Sequence, residues 1–508
     1  MSDFSFNLID KPWIPGVNID GDNVTLGIRD LLMKAHQLRS IQHQNPLTEA
    51  ALLRVLLAVV HRAVDGPKNT KQWKELYQGG KFDNRVADYL VKWHKRFDLF
   101  SSEAPFYQTL GLLVIDGSGN AVPQSISSIM LGVSNGNNKT LFDHTTDDML
   151  VKTSPAEAAL ALITAQMFSL GGLNKKTTNL FGYQFRFENS VMTEGIFFVL
   201  SGSSLFETLM LNLLIYNDNE PIPNTPIDCP VWERTDMERA VTERKKAIPP
   251  KGYLDFLTCK CRHIALVPQV NGSRIFVEHI HFAQGELFAD VMNPSFMSRK
   301  SKKGNWYHPQ LDTDRLVWRD SVALFSLDEN IACRPKAFRQ IQTMRSVVDL
   351  PSRYICCAYA IANKDANPLV WRRETFNVPL SLLSDKNIVA YLEKAISLAE
   401  KGETILSMSV KIFMREYLPK NSKDVAEKAK ATGTVRTYWD NMEGNFHQFL
   451  LNLDDPEKTL VTWETAIKRT AHDALVVCVN GRYRGSARAY RAWSAASDYI
   501  NDHIAKLN

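Results

Sequence analysis

Asp143, His144, Asp147 and Asp148 crowd one short segment of the chain. Carboxylates and an imidazole are ligands that could hold Mn²⁺ or Mg²⁺ for phosphodiester hydrolysis. The same residues suit capping of local turns, and a loop lacks the rigid support that metal geometry demands. A second feature is Gly171-Gly172, closely followed by Lys175 and Lys176. Glycines let a backbone approach a ligand closely, including nucleic acid in a narrow groove; a glycine pair after a helix also reads as a plain C-cap. Two basic groups could neutralise phosphates. One is the run Arg299-Lys300-Ser301-Lys302-Lys303, with Trp306 and Tyr307 just beyond it. The other is Arg484, Arg488 and Arg491, which share a helix face if the last helix starts that early, with Tyr483, Tyr490 and Trp493 interleaved. Arginines and aromatics together suit backbone contact and base stacking. A charge run is also read as a solvated surface, and the aromatics as helix core. Cys259 and Cys261 form a lone C-x-C with no second pair at zinc spacing, so no metal site is assigned. The motifs of nucleotide-binding loops, serine hydrolases and zinc proteases are missing.

The elements that must position these residues follow from the pattern of the chain. With 508 residues it is too long for one ordinary core. Hydrophobic residues make up 44% and charged residues 23%, which excludes a disordered, collagenous or coiled-coil chain. Sixty Lys and Arg against 55 Asp and Glu leave a net charge of +5, so any nucleic-acid binding must sit in local patches. The first ten residues carry neither a basic nor an apolar leader segment, and Arg54 breaks the most apolar run, Ala51 to Val60. No signal peptide or membrane span is expected, and seven sparse cysteines argue against a disulfide framework; the expected location is the cytoplasm.

Trp13–Val17 and Val24–Leu26 flank Asp20-Gly-Asp22 as a hairpin. Thr48 is the expected N-cap of an apolar helix over Ala50–Val60, with Arg54 and His61 as its polar edge. Residues 116 to 152 read as a long loop. Ser154-Pro155-Ala-Glu157 opens a helix that runs to about Phe168. Asn271-Gly272 joins two alternating strands. From Pro379 on, Ile388, Leu392, Ala395 and Ala399, then Tyr438, Met442, Phe446 and Phe449, recur at helical spacing, and two more helical stretches follow.

Several of these stretches occur together in one family. Asn7-Leu-Ile-Asp-Lys-Pro-Trp-Ile-Pro15 is followed by Glu103-Ala-Pro-Phe-Tyr-Gln108, Asn138-Lys-Thr-Leu-Phe-Asp-His144 and Pro230-Val-Trp-Glu233. Asp255-Phe-Leu-Thr258 with Arg262, Ala283-Gln-Gly285 and Val317-Trp-Arg319 continue the series. In this order, over essentially the whole chain, they resemble the CasA family, the large subunit of the type I-E CRISPR Cascade surveillance complex. The resemblance implies a mixed, irregular α/β domain over residues 1–378 and an all-α four-helix bundle over 379–508. It implies no catalysis, no metal and no cofactor. The implied partners are the other Cascade subunits and the crRNA, a double-stranded DNA target whose protospacer-adjacent motif is recognised, and a helicase-nuclease recruited once the R-loop begins to open.

Residue by residue, the family's docking loop resembles Asn138, Leu141, Phe142, Asp143 and His144, which turns the metal candidates into docking residues. Its glycine loop resembles Ser169, Leu170, Gly171, Gly172 and Leu173. A minor groove offers a degenerate code, so backbone and shape would do the reading. Its wedge falls near Ala362–Asn367, where the expected Gln is absent and Asn363 and Lys364 stand in. A motif-reading basic residue belongs within 274–303, with His279, His281, Arg299 and Lys300 as candidates. Lys175 and Lys176 would contact phosphates, and Arg484, Arg488 and Arg491 the displaced strand. The alternative is a metal-dependent nuclease built on Asp143, His144, Asp147 and Asp148; a third reading is a pure scaffold.

Overall fold

A computed structural model describes residues 4–132, 151–234, 247–272, 274–289, 291–483 and 485–507 of the chain. It is a mixture of helices and short antiparallel sheets. The turn at Asp20–Asp22 closes β1 (Ile14–Asn18) onto β2 (Asn23–Leu26), with Ile14 opposite Leu26. Helix α1 (Pro46–Val64) begins earlier than the Thr48 cap implied. Asn45 caps it, accepting the Leu47 N–H at 2.9 Å, and Pro46 occupies the first helical position, where its missing N–H has nothing to satisfy. Every residue from Leu47 to His61 is buried, so Arg54 and His61 are not a polar edge. Arg54 donates to the carbonyls of Phe256 and Leu257 at 2.8 and 3.3 Å. His61 pairs through Nδ1 with the Gly66 carbonyl at 3.1 Å, and burial pushes its imidazole down to about 3.

Helix α2 (Pro155–Phe168) has the expected capping box between Ser154 and Glu157. It packs against α1, where Thr164 donates to Thr48 at 3.0 Å, and against the strand pair β6 (Arg262–Asn271) and β7 (Arg274–Gln284). Asn271-Gly272 turns that pair, with Gly272 at φ +63°. Between α2 and β6 lie β3 (Gly172–Thr178), β4 (Gly182–Phe187) and β5 (Phe197–Ser201). A short ribbon, β8 (Ser298–Lys300) with β9 (Trp306–Tyr307), and a longer hairpin, β10 (Arg353–Lys364) with β11 (Asn367–Pro379), follow.

The chain divides into two compact units: residues 1–313, 334–350 and 355–375 form one, and 314–333, 351–354 and 376–508 the other. Among its described residues, the second unit has α3 (Lys386–Tyr417), the short α4 (Val425–Ala431), α5 (Thr434–Leu451), α6 (Pro456–Leu475) and α7 (Ala487–Ile504). Helix α3 packs on α5, α6 and α7. Its core collects Leu392, Ala395, Ala399, Tyr438, Met442, Phe446, Phe449 and Trp463. Trp318 belongs to this unit although it lies some sixty residues before the sequence-drawn boundary at 378/379. It stacks on Phe446 with ring centroids 4.5 Å apart, while Arg319 sits 3.6 Å over the Trp439 ring and bridges Glu403.

Candidate nucleic-acid interface

Helix α2 ends at Phe168, and Ser169 leaves it in an extended conformation. The glycine pair therefore lies beyond the helix cap rather than forming it. Gly172 begins β3 with φ +148°, a backbone region that favours glycine. The turn is held by the chain around it. The Ser169 carbonyl accepts from the Ser190 N–H at 2.9 Å, and the Gly171 N–H donates to Asn189 Oδ1 at 2.8 Å. The Leu170 carbonyl accepts from Arg262 Nη2 at 3.0 Å.

Arg262 is the centre of this scaffold. Its guanidinium is buried, donates also to the Glu188 carbonyl at 2.6 Å and the Cys261 carbonyl at 2.9 Å, and lies 4.9 Å over the Phe187 ring. Its own backbone is gripped by the Gln166 amide of α2, which accepts from Arg262 N at 2.9 Å and donates to Arg262 O at 2.8 Å. Burial lowers the guanidinium to about 10, so it stays charged at neutral pH. One buried cation thus ties both chain segments that flank the glycines, Leu170 on one side and Glu188 on the other.

Facing the turn is the tip of the β10–β11 hairpin. Asp365 and Ala366 take φ +51° and +66°, the positive pair that a two-residue hairpin turn demands. A Cβ placed on Gly172 would stand 3.3 Å from the Ala366 Cβ, closer than ordinary van der Waals contact. Turn and tip line one cleft of about 690 Å³, with the segment Ser127–Gly132 on another wall and Arg262 and Phe187 also lining it. Lys176 lines it half-buried, and desolvation lowers its amine. Lys175 is exposed at φ +51°.

The other candidates fall in different settings. Asn363 and Lys364 lie on the strand leading into the hairpin turn, and Asp365, Ala366, Asn367 and Pro368 line the cleft instead. His281 is buried and accepts the Val114 N–H at 3.1 Å through Nδ1; desolvation lowers its imidazole. His279 sits on β7 opposite Val267 and Ser125. Arg299 and Lys300 belong to β8, with Lys300 Nζ 5.7 Å from the Trp306 ring. Arg488 caps the end of α3, donating to the carbonyls of Glu416 and Leu418, while Arg491 is exposed on α7. Tyr483 packs against Phe413 and Tyr417. The docking residues Asn138, Leu141, Phe142, Asp143 and His144, together with Asp147, Asp148 and Arg484, lie outside the described residues. Cys259 and Cys261 are buried with their sulfurs 3.2 Å apart, and no group of three potential metal ligands occurs among the described residues. None of the described helices is long and apolar enough to cross a membrane.

Arg262 is a support that reasoning from the sequence misses, yet a signal exists. It has the same strand parity as buried Ile264 and Leu266, which points a charge inward, where it must be hydrogen-bonded. Asn189 carries no such signal, because its partner is a backbone N–H eighteen residues away.

Comparison with known proteins places this architecture. The model of the family "CRISPR-associated protein Cse1" matches residues 7–474. A CRISPR-associated protein CasA/Cse1 of Thermus thermophilus is 31% identical over 487 residues, covering 92% of this chain and 91% of that one. A crystal structure of CasA from Thermus thermophilus is 25% identical with a TM-score of 0.84, over 99% of this chain and 100% of that one. The fold is shared by Cse1 from Acidimicrobium ferrooxidans, 21% identical at a TM-score of 0.84 over 100% of this chain and 99% of that one. A chain of a CRISPR RNA-guided surveillance complex shares it too, 19% identical at a TM-score of 0.78 over 98% and 99%. With the family model and a relative of that identity each spanning nearly its whole length, the chain belongs to the CRISPR-associated protein Cse1 family.

Proposed function

We propose that this chain is the non-catalytic large subunit of a crRNA-guided Cascade complex, and that its cleft recognises the protospacer-adjacent motif in double-stranded DNA. The observation that carries the reading is that the Ser169–Leu173 turn and the Asp365–Pro368 tip line one cleft. The Gly171-Gly172 backbone at its centre, which carries no side chain, suits a narrow minor groove, where a degenerate base code leaves shape as the signal. The hairpin tip beside it is placed to enter the base step next to the motif and start duplex opening. Lys175 and Lys176 add positive charge for phosphates, and Arg299, Lys300 and Arg491 serve as basic contacts farther along the chain. Asn138 to His144 dock the subunit near the crRNA 5′ handle. The helical unit, a four-helix bundle in this reading, faces the displaced strand and the other subunits, and the assembly recruits a helicase-nuclease in the cytoplasm. Membership of the Cse1 family supports the assignment, as does the shared fold with a chain of an RNA-guided surveillance complex. Delegating sequence to guide pairing while protein reads a short motif is the division seen in other RNA-guided systems.

The test is binding of motif-bearing duplexes to the crRNA complex assembled with and without this chain, in EDTA. The chain is expected to confer motif-dependent binding that Gly171→Asp abolishes. At Gly171 a Cβ would press on the Phe187 carbonyl at 3.0 Å, so a charge there also displaces the turn. Gly119→Asp adds the same charge at a glycine with open space around it, so it controls for the charge and should leave binding intact. Binding indifferent to the chain, or DNA cut when Mg²⁺ or Mn²⁺ is given to the chain alone, overturns the reading and makes Asp143, His144, Asp147 and Asp148 an active-site candidate.

A further inference from the structure

The first turn of α1 carries a carboxylate, Glu49, that is buried and bonded on both oxygens. Oε1 accepts the His43 N–H at 2.9 Å, which fixes the chain just ahead of the helix. Oε2 accepts from Arg373 Nη1 at 2.8 Å and from the Tyr359 hydroxyl at 3.4 Å. Tyr359 lies on β10 and Arg373 on β11, so one carboxylate holds both arms of the hairpin whose tip lines the cleft. The helix N-terminus favours a negative charge at this end. Where the grip falls along the hairpin matters. β10 pairs with β5 from Ile355 opposite Ser201 to Tyr359 opposite Phe197, and there the pairing ends. The clamp therefore sits where the hairpin leaves its sheet. Asp365 of the tip follows Tyr359 by six residues, roughly 20 Å of strand. The same end of α1 also meets another wall of the cleft. Asn45, the helix cap, donates through its side chain to the Leu131 carbonyl at 3.4 Å, and Leu131 lines the cleft.

We infer that Glu49 is a positioning residue for duplex opening: with Arg373 it sets the direction in which the Asp365–Pro368 tip stands in the cleft. The inference rests on the proposed reading of that tip and deepens it by naming what aims it. A buried carboxylate persists only when paired and hydrogen-bonded, and here its partners come from three separate segments, at His43, Tyr359 and Arg373. Apolar packing could hold the two arms as firmly, but it has no preferred direction. Donors on a carboxylate do, because each bond weakens as its angle departs from linear. Direction counts here because the arm lengthens any error. A rotation of roughly 10° at the clamp moves a tip about 20 Å away by about 3.5 Å, the spacing of one base step. A tip displaced by that much meets the wrong step while the glycine turn, which Arg262 holds separately, still binds the motif.

The experiment uses the crRNA complex assembled with this chain. Motif affinity is read on a motif-bearing duplex that does not match the guide. Opening is read on a matching one, from the fluorescence of 2-aminopurine placed at the base step beside the motif. Glu49→Gln removes the charge at nearly constant volume, and Arg373→Ala removes its partner. Each should slow opening about tenfold and leave motif affinity within about twofold of the parent. Arg373→Lys, which keeps a cation within reach of the carboxylate, should recover most of the rate. A matching duplex already mismatched at the pairs beside the motif should open at the parent rate in every variant, because the tip then has nothing to part. General damage to the fold would not be repaired in that way. The Arg373 side chain is 43% exposed, so its truncation should leave melting close to the parent and carries the test if Glu49→Gln does not fold. Variants that open the paired target at the parent rate, that stay slow on the mismatched one, or that lose motif affinity in step with opening overturn the inference alone. A parent complex without motif-dependent binding overturns the proposed function, and this inference with it.

Discussion

The glycine turn and the Asp365–Pro368 tip line one cleft and are held in opposite ways. The turn is gripped on the spot, its polar groups held by Arg262, Asn189 and Ser190. The tip is held from a distance, by the Glu49 carboxylate on Tyr359 and Arg373 farther down its two strands. A surface of the first kind loses affinity when its support goes, because its shape is what the ligand meets. One of the second kind keeps its shape and loses its aim, so the step that fails is the one that needs direction. The contrast separates two tasks within one cleft, recognition by a turn on a buried cation and opening by a tip on a buried carboxylate.

The largest break in that contrast should come from Arg262→Gln. Removing the fork leaves the carbonyls of Leu170 and Glu188 without their buried donor, while the Cys261 carbonyl keeps the Gly285 N–H at 3.0 Å. The cost should be about 4 kcal/mol of stability, read from urea unfolding. If the chain still assembles, motif affinity should be lost, and a target already mismatched beside the motif should not restore opening, as it should for Arg373→Ala. Recovery on that target would mean that turn and tip are not separable. Arg262→Lys keeps the charge without the fork and should recover stability only in part.

Acid should come next. The His61 imidazole is buried and held down to about 3, whereas in the unfolded chain it titrates near 6.5. Below about pH 6.5 the unfolded state takes up a proton that the folded state refuses until near pH 3. Stability therefore falls as pH drops through that window, by about 3 kcal/mol at pH 4 from this group alone. Burial also lowers His263, His281 and His308, in the same direction. Melting curves between pH 7 and pH 4 should show the decline, and His61→Gln should flatten it.

What could be read from the chain in advance divides along physical lines. Local chemistry was legible: the Ser154/Glu157 box, the Asn271-Gly272 hairpin and the helical repeats around Leu392 and Tyr438 each announce themselves within a few residues. The start of α1 was misplaced because Asn45-Pro46 competed with Thr48, and a proline at the first helical position decides that contest. Long-range partnerships were hidden. Nothing near Trp318 says that it stacks on Phe446, and nothing near Gly171 says that a hairpin almost two hundred residues on lines the same cleft. The glycine pair is marked in the sequence by its flanking lysines, yet its support comes from Arg262 and Asn189, which only the pairing of distant strands brings beside it.

Asn189→Ala sharpens the comparison with the smallest perturbation. The Asn189 side chain is exposed and makes a single described hydrogen bond of 2.8 Å to the Gly171 N–H, so truncation should cost about 1 kcal/mol. Exchange of the Gly171 amide should then quicken about fivefold, since opening is easier by that amount. If the turn works as a preformed backbone edge, loosening it should lower motif-duplex affinity of the assembled complex by about the same factor, through the fraction of chains in the competent shape. The rate at which a bound duplex opens should not change. Asn189→Asp keeps an acceptor for the Gly171 N–H and adds a negative charge beside the turn. It should leave exchange slow, yet weaken duplex binding most at low salt, where phosphate repulsion is least screened. Faster exchange in Asn189→Ala with undiminished motif affinity would show that the turn need not be held in advance, and the distinction between a turn gripped on the spot and a tip aimed from a distance would lose its basis.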